Sequence, residues 1–163
     1  MGLYHYISKK IYIGAEYEHN KITGIVDIKR NGISLPIDLS KIDYVTEAFL
    51  TWRKVNAIHK FFVDTIQDGE DDCKNYYLPK EVLKEFMVLI KEDIEYLRSC
   101  ELDANKKYIV DEDKINLKTQ SGFFFGSTDY YEYYVEELEE ALQILEQEDF
   151  NDDAIEYDYG SSW

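Results

Sequence analysis

The sequence predicts an α+β fold in which an N-terminal antiparallel β-hairpin or small sheet packs against about three α-helices. Strand-like alternation surrounds the pair Asn31-Gly32, a helical apolar period covers residues 43–66, and two more helical patterns begin near Pro79 and Tyr130. Strand segments followed by helices are typical of α+β architecture. The chain has 163 residues, of which 45% are apolar, and this size suits one domain with a sizeable core.

Residues 1–42 are predicted to be β-rich. Residues 3–13 mix Tyr and Ile with short polar interruptions, a composition typical of one strand or two short ones. Residues 24–30 and 33–39 flank Asn31-Gly32, which readily adopts the positive φ angles of a two-residue hairpin turn. Pro36 has no amide donor, so its strand is expected to lie at an edge or to end there.

Residues 43–100 are predicted to form two helices separated by a solvated turn at residues 68–72. The first, over 43–66, carries two adjacent apolar stripes and is therefore expected to be central. One stripe contains Ala48, Val55, Ile58, Phe62 and Ile66, and the other contains Val45, Phe49, Trp52, Asn56, His59 and Val63. The second helix begins near Pro79, a residue favoured in the first turn. Its predicted inner face contains Leu83, Phe86, Met87, Ile90, Ile94 and Leu97.

Residues 101–128 are predicted to be a connection with one short strand near residues 108–110, followed by a loop rich in Gly and Phe. That loop reads Gly122-Phe-Phe-Phe-Gly126, and three consecutive Phe residues favour core packing over a phosphate-binding loop. Ser127, Thr128 and Asp129 are candidate caps for an acidic helix over residues 129–149. Its predicted inward residues are Tyr134, Leu138, Ala141 and Leu145. Residues 150–163 are predicted to be a C-terminal strand or tail.

The charge distribution indicates a negative surface. The formal net charge is −16, and thirteen carboxylates follow Lys118 with no further Lys or Arg. Such a charge disfavours nucleic acid and anionic membranes as partners and favours a basic protein. General solubility is the alternative explanation of the acidic composition. The candidate interface residues are Glu132, Glu136, Glu137, Glu139, Glu140, Tyr130, Tyr131 and Tyr133.

One segment has the opposite character: residues 52–62 contain three basic residues, one histidine and no carboxylate. A recess there is a candidate site for an anionic ligand. Its candidate binding residues are Trp52, Arg53, Asn56, His59 and Lys60. The first alternative is a buried network in which Asn56 and His59 bond to the backbone of the hairpin or of the Gly-rich loop. The second is a basic patch that docks onto the chain's own acidic helix.

No pattern in the sequence predicts a cofactor, a metal site or catalytic residues. The histidines lack zinc-ligand spacing, and no nucleophile elbow is present. The two cysteines, Cys73 and Cys100, are too few for a disulfide framework and indicate a reducing cytoplasm. Neither a signal peptide nor an apolar run long enough to span a membrane is found.

Three motifs together resemble a family of small acidic proteins encoded by bacteriophages and prophages. They are W-R-K-x-N-x-I-H-x-F-F from Trp52, G-F-F-F-G-S-T-x-Y from Gly122 and S-S-W from Ser161. The resemblance runs from the hairpin to the C-terminus; in the family Trp often replaces Phe61 and Ala often replaces Val55. It brings no established activity and no catalytic residues, and it implies expression in the cytoplasm of an infected bacterium.

The leading functional expectation is an accessory protein, not an enzyme, that inhibits a basic host target. A host defence component is the favoured target class, because folded carboxylates can occupy a groove built for nucleic-acid phosphates, as in anti-CRISPR and anti-restriction mimics. The first alternative is a protein that sequesters a nucleotide-like anion in the Trp52 to Lys60 recess. The second is a phage structural or regulatory oligomer; the sequence leaves the oligomeric state open, including a homodimer.

Overall fold

A computed structural model describes residues 2–14, 28–38 and 41–163, and it confirms the α+β class. Its strands are β1 (Tyr4–Tyr12), β2 (Lys29–Arg30), β3 (Ile33–Ser34), β4 (Tyr44–Arg53), β5 (Tyr76–Tyr77) and β6 (Ile155–Ser162). Its helices are α1 (Asn56–Ile66), α2 (Lys80–Ser99) and α3 (Glu132–Glu146). Among the helices of these ranges, none combines the length and apolar character that crossing a membrane requires.

Within the described ranges, the main sheet has four antiparallel strands in the order β4-β1-β6-β5. Strand β1 lies between β4 and β6, so Tyr4 is opposite Arg53 on one side and Ser162 on the other. The strand predicted, as one of two alternatives, for residues 150–163 is thus confirmed as β6. It lies beside the N-terminal strand, and this pairing joins the two distant ends of the described chain.

The predicted Asn31-Gly32 turn is confirmed, with φ angles of 52° and 78°. It joins β2 and β3 in a separate two-stranded sheet whose four strand residues are exposed. Strand β3 ends at Ser34, before Pro36, as the missing amide donor of proline leads one to expect. Residues 24–27 and 39 of the predicted strands lie outside the described residues.

The predicted helix over residues 43–66 is wrong in its first half, where Tyr44–Arg53 forms strand β4. The register between β1 and β4 shifts at Ile7/Ser8, and Phe49 has no partner across the pair. This bulge interrupts the strand alternation and brings apolar residues into a spacing that resembles a helix. Lys54, with a φ of 61°, turns the chain from β4 into α1.

The core forms where the helices cover one face of the main sheet, and it confirms most predicted inner faces. In α1, Val55 at the N-cap, Ile58 and Phe62 are buried. Pro79 is the N-cap residue of α2, one position before its predicted place. The predicted strand near residues 108–110 is reduced to isolated bridges, Leu102 with Tyr108 and Lys107 with Tyr131. The buried inner residues of the other two helices are Leu83, Phe86, Ile90, Leu97, Tyr134, Leu138, Ala141 and Leu145.

Candidate functional site

Asn56, the first residue of α1, forms hydrogen bonds with the Gly/Phe loop (residues 122–126) and with residues on either side of it. Its Nδ2 donates hydrogen bonds to the carbonyl oxygens of Phe125 (3.1 Å) and Ser127 (2.7 Å), and its Oδ1 accepts one from the amide of Gln120 (3.0 Å). The side chain is buried, and these three bonds satisfy it as burial requires. The alternative in which Asn56 bonds to the Gly-rich loop is therefore confirmed.

His59 is buried and bonds to two side chains instead of the backbone. Its Nε2 lies 2.8 Å from Oδ2 of Asp71, and its Nδ1 lies 2.7 Å from the hydroxyl of Tyr159. A carboxylate only accepts, so Nε2–H donates to Asp71 and Nδ1 accepts from Tyr159 when the ring is neutral. Burial lowers the pKa of His59, while Asp71 acts in the opposite direction. Asp71 also accepts from the indole of Trp163 (2.8 Å) and the hydroxyl of Ser161 (3.3 Å).

His5 is a second buried imidazole in this cluster. Its ring stacks on Trp52 with centroids 5.1 Å apart and lies 5.6 Å from the ring of His59. Neither ring nitrogen makes a hydrogen bond of ordinary geometry within the described ranges, although the nearby backbone of Val55 acts to raise the pKa of the ring. Burial, and secondarily the proximity of His59, lowers the pKa of His5 well below its usual value. Leu3, His5 and Ile7 occupy every second position and therefore one face of the strand, and Leu3 and Ile7 are both buried. This spacing is the sequence signal that indicates a core position for His5.

The five predicted ligand residues do not line one open recess. Trp52 belongs to β4 and is buried, as are Asn56 and His59. Arg53 is exposed on β4, while Lys60 forms an ion pair with Asp64. The segment is basic in sequence, but its aromatic and polar members belong to the interior and its cations lie outside it.

The three Phe residues of the Gly/Phe loop (residues 122–126) do not all pack in the core, contrary to the prediction from the sequence. Phe123 is 95% exposed, whereas Phe124 and Phe125 are half-buried and their rings contact Trp163. The amide of Leu3 donates to the carbonyl of Phe124 (2.9 Å), so the loop is bonded to the residue that precedes β1 as well as to Asn56. It is a fixed loop that presents one aromatic ring to solvent.

None of the three predicted caps of α3 is its N-cap. That position is taken by Tyr131, which makes no side-chain capping bond. Ser127 instead accepts a hydrogen bond from the amide of Asp129 (3.0 Å). The helix starts later than the predicted caps require because residues 127–130 belong to the connection that Asn56 holds.

The predicted acidic surface is divided by Arg98 of α2. Arg98 forms ion pairs with Glu132 and with Glu139, the latter at 2.9 Å, so these carboxylates are partly neutralised. Tyr130 is only 6% exposed and donates to the carbonyl of Leu117 (2.9 Å), which removes it from any contact surface. Tyr131 is half-buried, and Tyr133 is exposed and stacks against it at 6.1 Å.

Glu136, Glu137 and Glu140 are the remaining carboxylates of the predicted acidic surface. They lie on α3, and none of them forms an ion pair or accepts a hydrogen bond from the described part of the chain. Burial raises the pKa of Glu137, and the neighbouring charges of Glu140 and Glu136 raise it further. Glu137 and Glu140 also border a cavity of about 140 Å³ between α3 and β4. We call these three residues the acidic face.

Within the described ranges, no three His, Cys, Asp or Glu side chains are arranged to hold a metal ion. Cys73 and Cys100 are both free thiols. Comparisons of the chain with protein-family models, with curated proteins and with solved structures found no match in any of the three.

Proposed function

We propose that this protein acts by stoichiometric binding and that its acidic face occupies a basic surface of a host protein. The observation that carries the proposal is that no cation of the described ranges pairs with Glu136, Glu137 or Glu140 on α3. Like charges three or four residues apart destabilise a helix by roughly 0.2 to 0.5 kcal/mol per pair. A basic partner relieves that repulsion on binding, so the three carboxylates favour formation of the complex.

The helix that carries the acidic face is firmly anchored. Tyr134, Val135, Leu138, Ala141 and Leu145 are buried beneath it. Glu136 and Glu140 therefore hold a fixed separation of one turn, about 6 Å along the axis. A preorganised array of charge binds with less loss of side-chain and backbone entropy than a flexible acidic tail does.

We further propose that the partner is a bacterial defence component that binds nucleic acid, encountered in the cytoplasm of a phage-infected cell. Two features support this target class: the net charge of −16 and the resemblance of the sequence motifs to phage and prophage proteins. A groove that binds phosphates carries Lys and Arg, and a fixed row of carboxylates can occupy it. Inhibition by an anti-CRISPR or anti-restriction mechanism needs no turnover.

We favour the acidic face over the anionic-ligand alternative, since Trp52, Asn56 and His59 of that predicted recess are buried. The hydrogen-bonding groups of Asn56 and His59 are also already used: Asn56 bonds to the Gly/Phe loop and His59 to Asp71 and Tyr159. A ligand would have to displace internal hydrogen bonds to reach them. We therefore place the interaction on the acidic face.

The proposal is tested by capture of host proteins with a double charge reversal, Glu136→Lys with Glu140→Lys. The matched control is Glu85→Lys with Glu95→Lys, which makes the same charge change at exposed positions of α2. We expect the acidic-face variant to lose the specific host protein, the control to retain it, and the wild-type complex to weaken as salt increases. Equal capture by both variants, with folding verified by circular dichroism, contradicts the proposal.

The target class is tested separately by phage plating on strains that carry a CRISPR or a restriction system. We expect expression of the wild-type protein to raise the plating efficiency on a defence-positive strain and to leave it unchanged on the matched defence-negative strain. The Glu136→Lys, Glu140→Lys variant is expected to have no such effect. If plating is unaffected although a partner is captured, the partner belongs to another class of basic host protein.

A further inference from the structure

The outer edge of β4 forms one wall of an open groove. The sheet order places β4 at an edge, with β1 as its neighbour in the described sheet. The groove is the cavity of about 140 Å³, and four consecutive residues, 49–52, border it. Successive side chains of a strand point to opposite faces, so a cavity that touches four in a row follows the backbone edge. An edge strand carries amide and carbonyl groups that its one described neighbour does not use, and residues 49–52 bring such groups to the border of the groove.

The other wall is helix α3, which contributes Glu137, Glu140, Ala141 and Ile144. The two carboxylates lie three positions apart, so they are on the same side of the helix. Ala141 and Ile144 supply an apolar strip beside them. Among the described residues, the groove thus combines a strand edge without a second partner, a short apolar wall and two carboxylates that no cation pairs with.

We propose that this groove binds an extended basic segment of the partner, which pairs with β4 as an additional strand and places a Lys or Arg between Glu137 and Glu140. The inference rests on the proposed function and specifies how the partner is held. Strand edges bind extended peptides through main-chain hydrogen bonds, and adjacent sites for side chains give specificity. The apolar strip accommodates the aliphatic stem of the basic residue, and the carboxylates bind its charged end.

The shape and charge of the edge favour this occupant over a second copy of the chain. Two copies, each with a net charge of −16, repel one another, whereas a basic segment is attracted. The bulge at Phe49 bends β4, and bent edges resist pairing with long flat strands. A short segment has to match the bent edge over only a few residues, whereas a second copy of β4 would have to match it along its whole length.

A set of synthetic peptides tests the inference. The parent peptide has eight residues, alternating Thr and Val around one central Lys, and carries a fluorescent label. Two further forms are N-methylated on alternate amides, one on the odd and one on the even positions. Strand addition requires only the amides that face β4, so we expect one N-methylated form to bind at least about ten-fold more weakly and the other to bind within about three-fold of the parent.

Protein variants then test the charged contact. We expect Glu137→Gln with Glu140→Gln to weaken binding of the parent peptide by about ten-fold, since a charge-assisted contact is lost. Glu85→Gln is the control, because Glu85 is exposed on α2 outside the groove, and it is expected to bind the peptide unchanged. Replacement of the central Lys by norleucine is expected to reproduce the loss. Hydrogen exchange is expected to show added protection of amides in residues 49–52.

The outcomes separate this inference from the proposed function. If both N-methylated forms bind like the parent, the peptide is held by charge alone; strand addition is then overturned, and the acidic face remains a binding surface. No binding of the parent peptide, or protection that appears outside residues 49–52, also overturns strand addition. The proposed function fails by a different result: retention of the host partner by the Glu136→Lys, Glu140→Lys variant.

Discussion

His59 on α1 and Asp71 in the loop before β5 are joined by a hydrogen bond of 2.8 Å between the imidazole Nε2 and the carboxylate. The same carboxylate accepts from Trp163 and Ser161. One acidic side chain therefore connects the first helix to the end of β6. Its segment, residues 68–72, has the composition of a solvated turn, yet it supplies an acceptor to the interior.

Replacement of Asp71 is expected to destabilise the fold. Asp71→Ala leaves the buried His59 Nε2–H without an acceptor, and we expect the free energy of unfolding to fall by about 2 to 3 kcal/mol. The control is Glu70→Ala, which removes an adjacent exposed carboxylate and is expected to change stability by less than about 0.5 kcal/mol. Urea unfolding measures both. Similar losses in the two variants would show that the bond to His59 contributes little.

Stability is expected to fall as the pH drops below about 6.5, the pKa of an unperturbed histidine. Burial lowers the pKa of both His5 and His59 in the folded state, so the unfolded chain binds more protons in this range. The contribution of each neutral histidine to the free energy of unfolding is complete above its unfolded-state pKa. It is lost as the pH falls toward and through the folded-state pKa. Each histidine gives a slope of up to about 1.4 kcal/mol per pH unit.

The variant His5→Phe isolates one of these contributions. His5 faces Trp52, His59 and Tyr159, so a phenyl ring keeps the aromatic packing and removes one titrating group. We expect a shallower loss of stability between about pH 7.5 and about pH 5.5 than in the wild type. The carboxylates titrate equally in both proteins, so the difference in slope reports on His5. Identical slopes contradict the lowered pKa of this residue.

Loss of the Asn56 side chain is expected to release the Gly/Phe loop. Asn56→Ala removes three hydrogen bonds to Phe125, Ser127 and Gln120, and we expect a cost of about 1 to 3 kcal/mol. Amides in residues 120–127 should exchange faster with solvent than in the wild type. Gln143→Ala, at an exposed position of α3, is the control and should change neither quantity. Unchanged exchange in the loop would refute the role of Asn56.

The Gly/Phe loop offers a matched pair of substitutions. Phe123 is exposed, whereas Phe125 lies 5.3 Å from the ring of His59 and contacts Trp163. We expect Phe123→Ser to change the free energy of unfolding by less than about 0.5 kcal/mol and Phe125→Ser to lower it by about 1 to 3 kcal/mol. Thermal unfolding distinguishes the two. A large loss at Phe123 would mean that its ring is covered in solution.

The sequence predicts local structure well where one signal dominates. Asn31-Gly32 specifies its turn through backbone conformation, and the stripe that includes Leu83 and Phe86 specifies α2 through its period. The apolar residues of Tyr44–Arg53 have a mixed spacing that predicts a helix, because the extra residue of the bulge at Phe49 breaks the alternation of a strand. Its content of β-branched and aromatic residues is the signal that favours a strand. The pairing of β1 with both β4 and β6 depends on long-range contacts that a local period does not contain.

Less of the candidate site than of the fold could be predicted, because the sequence does not show which charged residues form ion pairs. Glu132, Glu136 and Glu139 all lie on α3. Arg98 nevertheless forms ion pairs with Glu132 and Glu139 and not with Glu136. Arg98 is more than thirty residues away in sequence, and the antiparallel packing of α2 and α3 decides its partners. Asn56 illustrates the opposite case, since an amide within an apolar stripe predicts a buried network.

The division of the acidic helix by Arg98 leads to opposite effects of two equal charge changes. Glu139→Lys breaks the ion pair with Arg98 and places two cations together. We expect the free energy of unfolding to fall by about 1 kcal/mol. The loss is modest because both side chains of the pair are partly exposed. Glu136→Lys converts its repulsion with Glu132 and Glu140 into attraction, and we expect a gain of about 0.5 kcal/mol. Both variants change the net charge equally, so overall charge cannot explain a difference between them. Urea unfolding at low salt measures the difference, which should shrink at high salt as the charges are screened. Equal shifts in the two variants would show that Arg98 does not select among the carboxylates of α3.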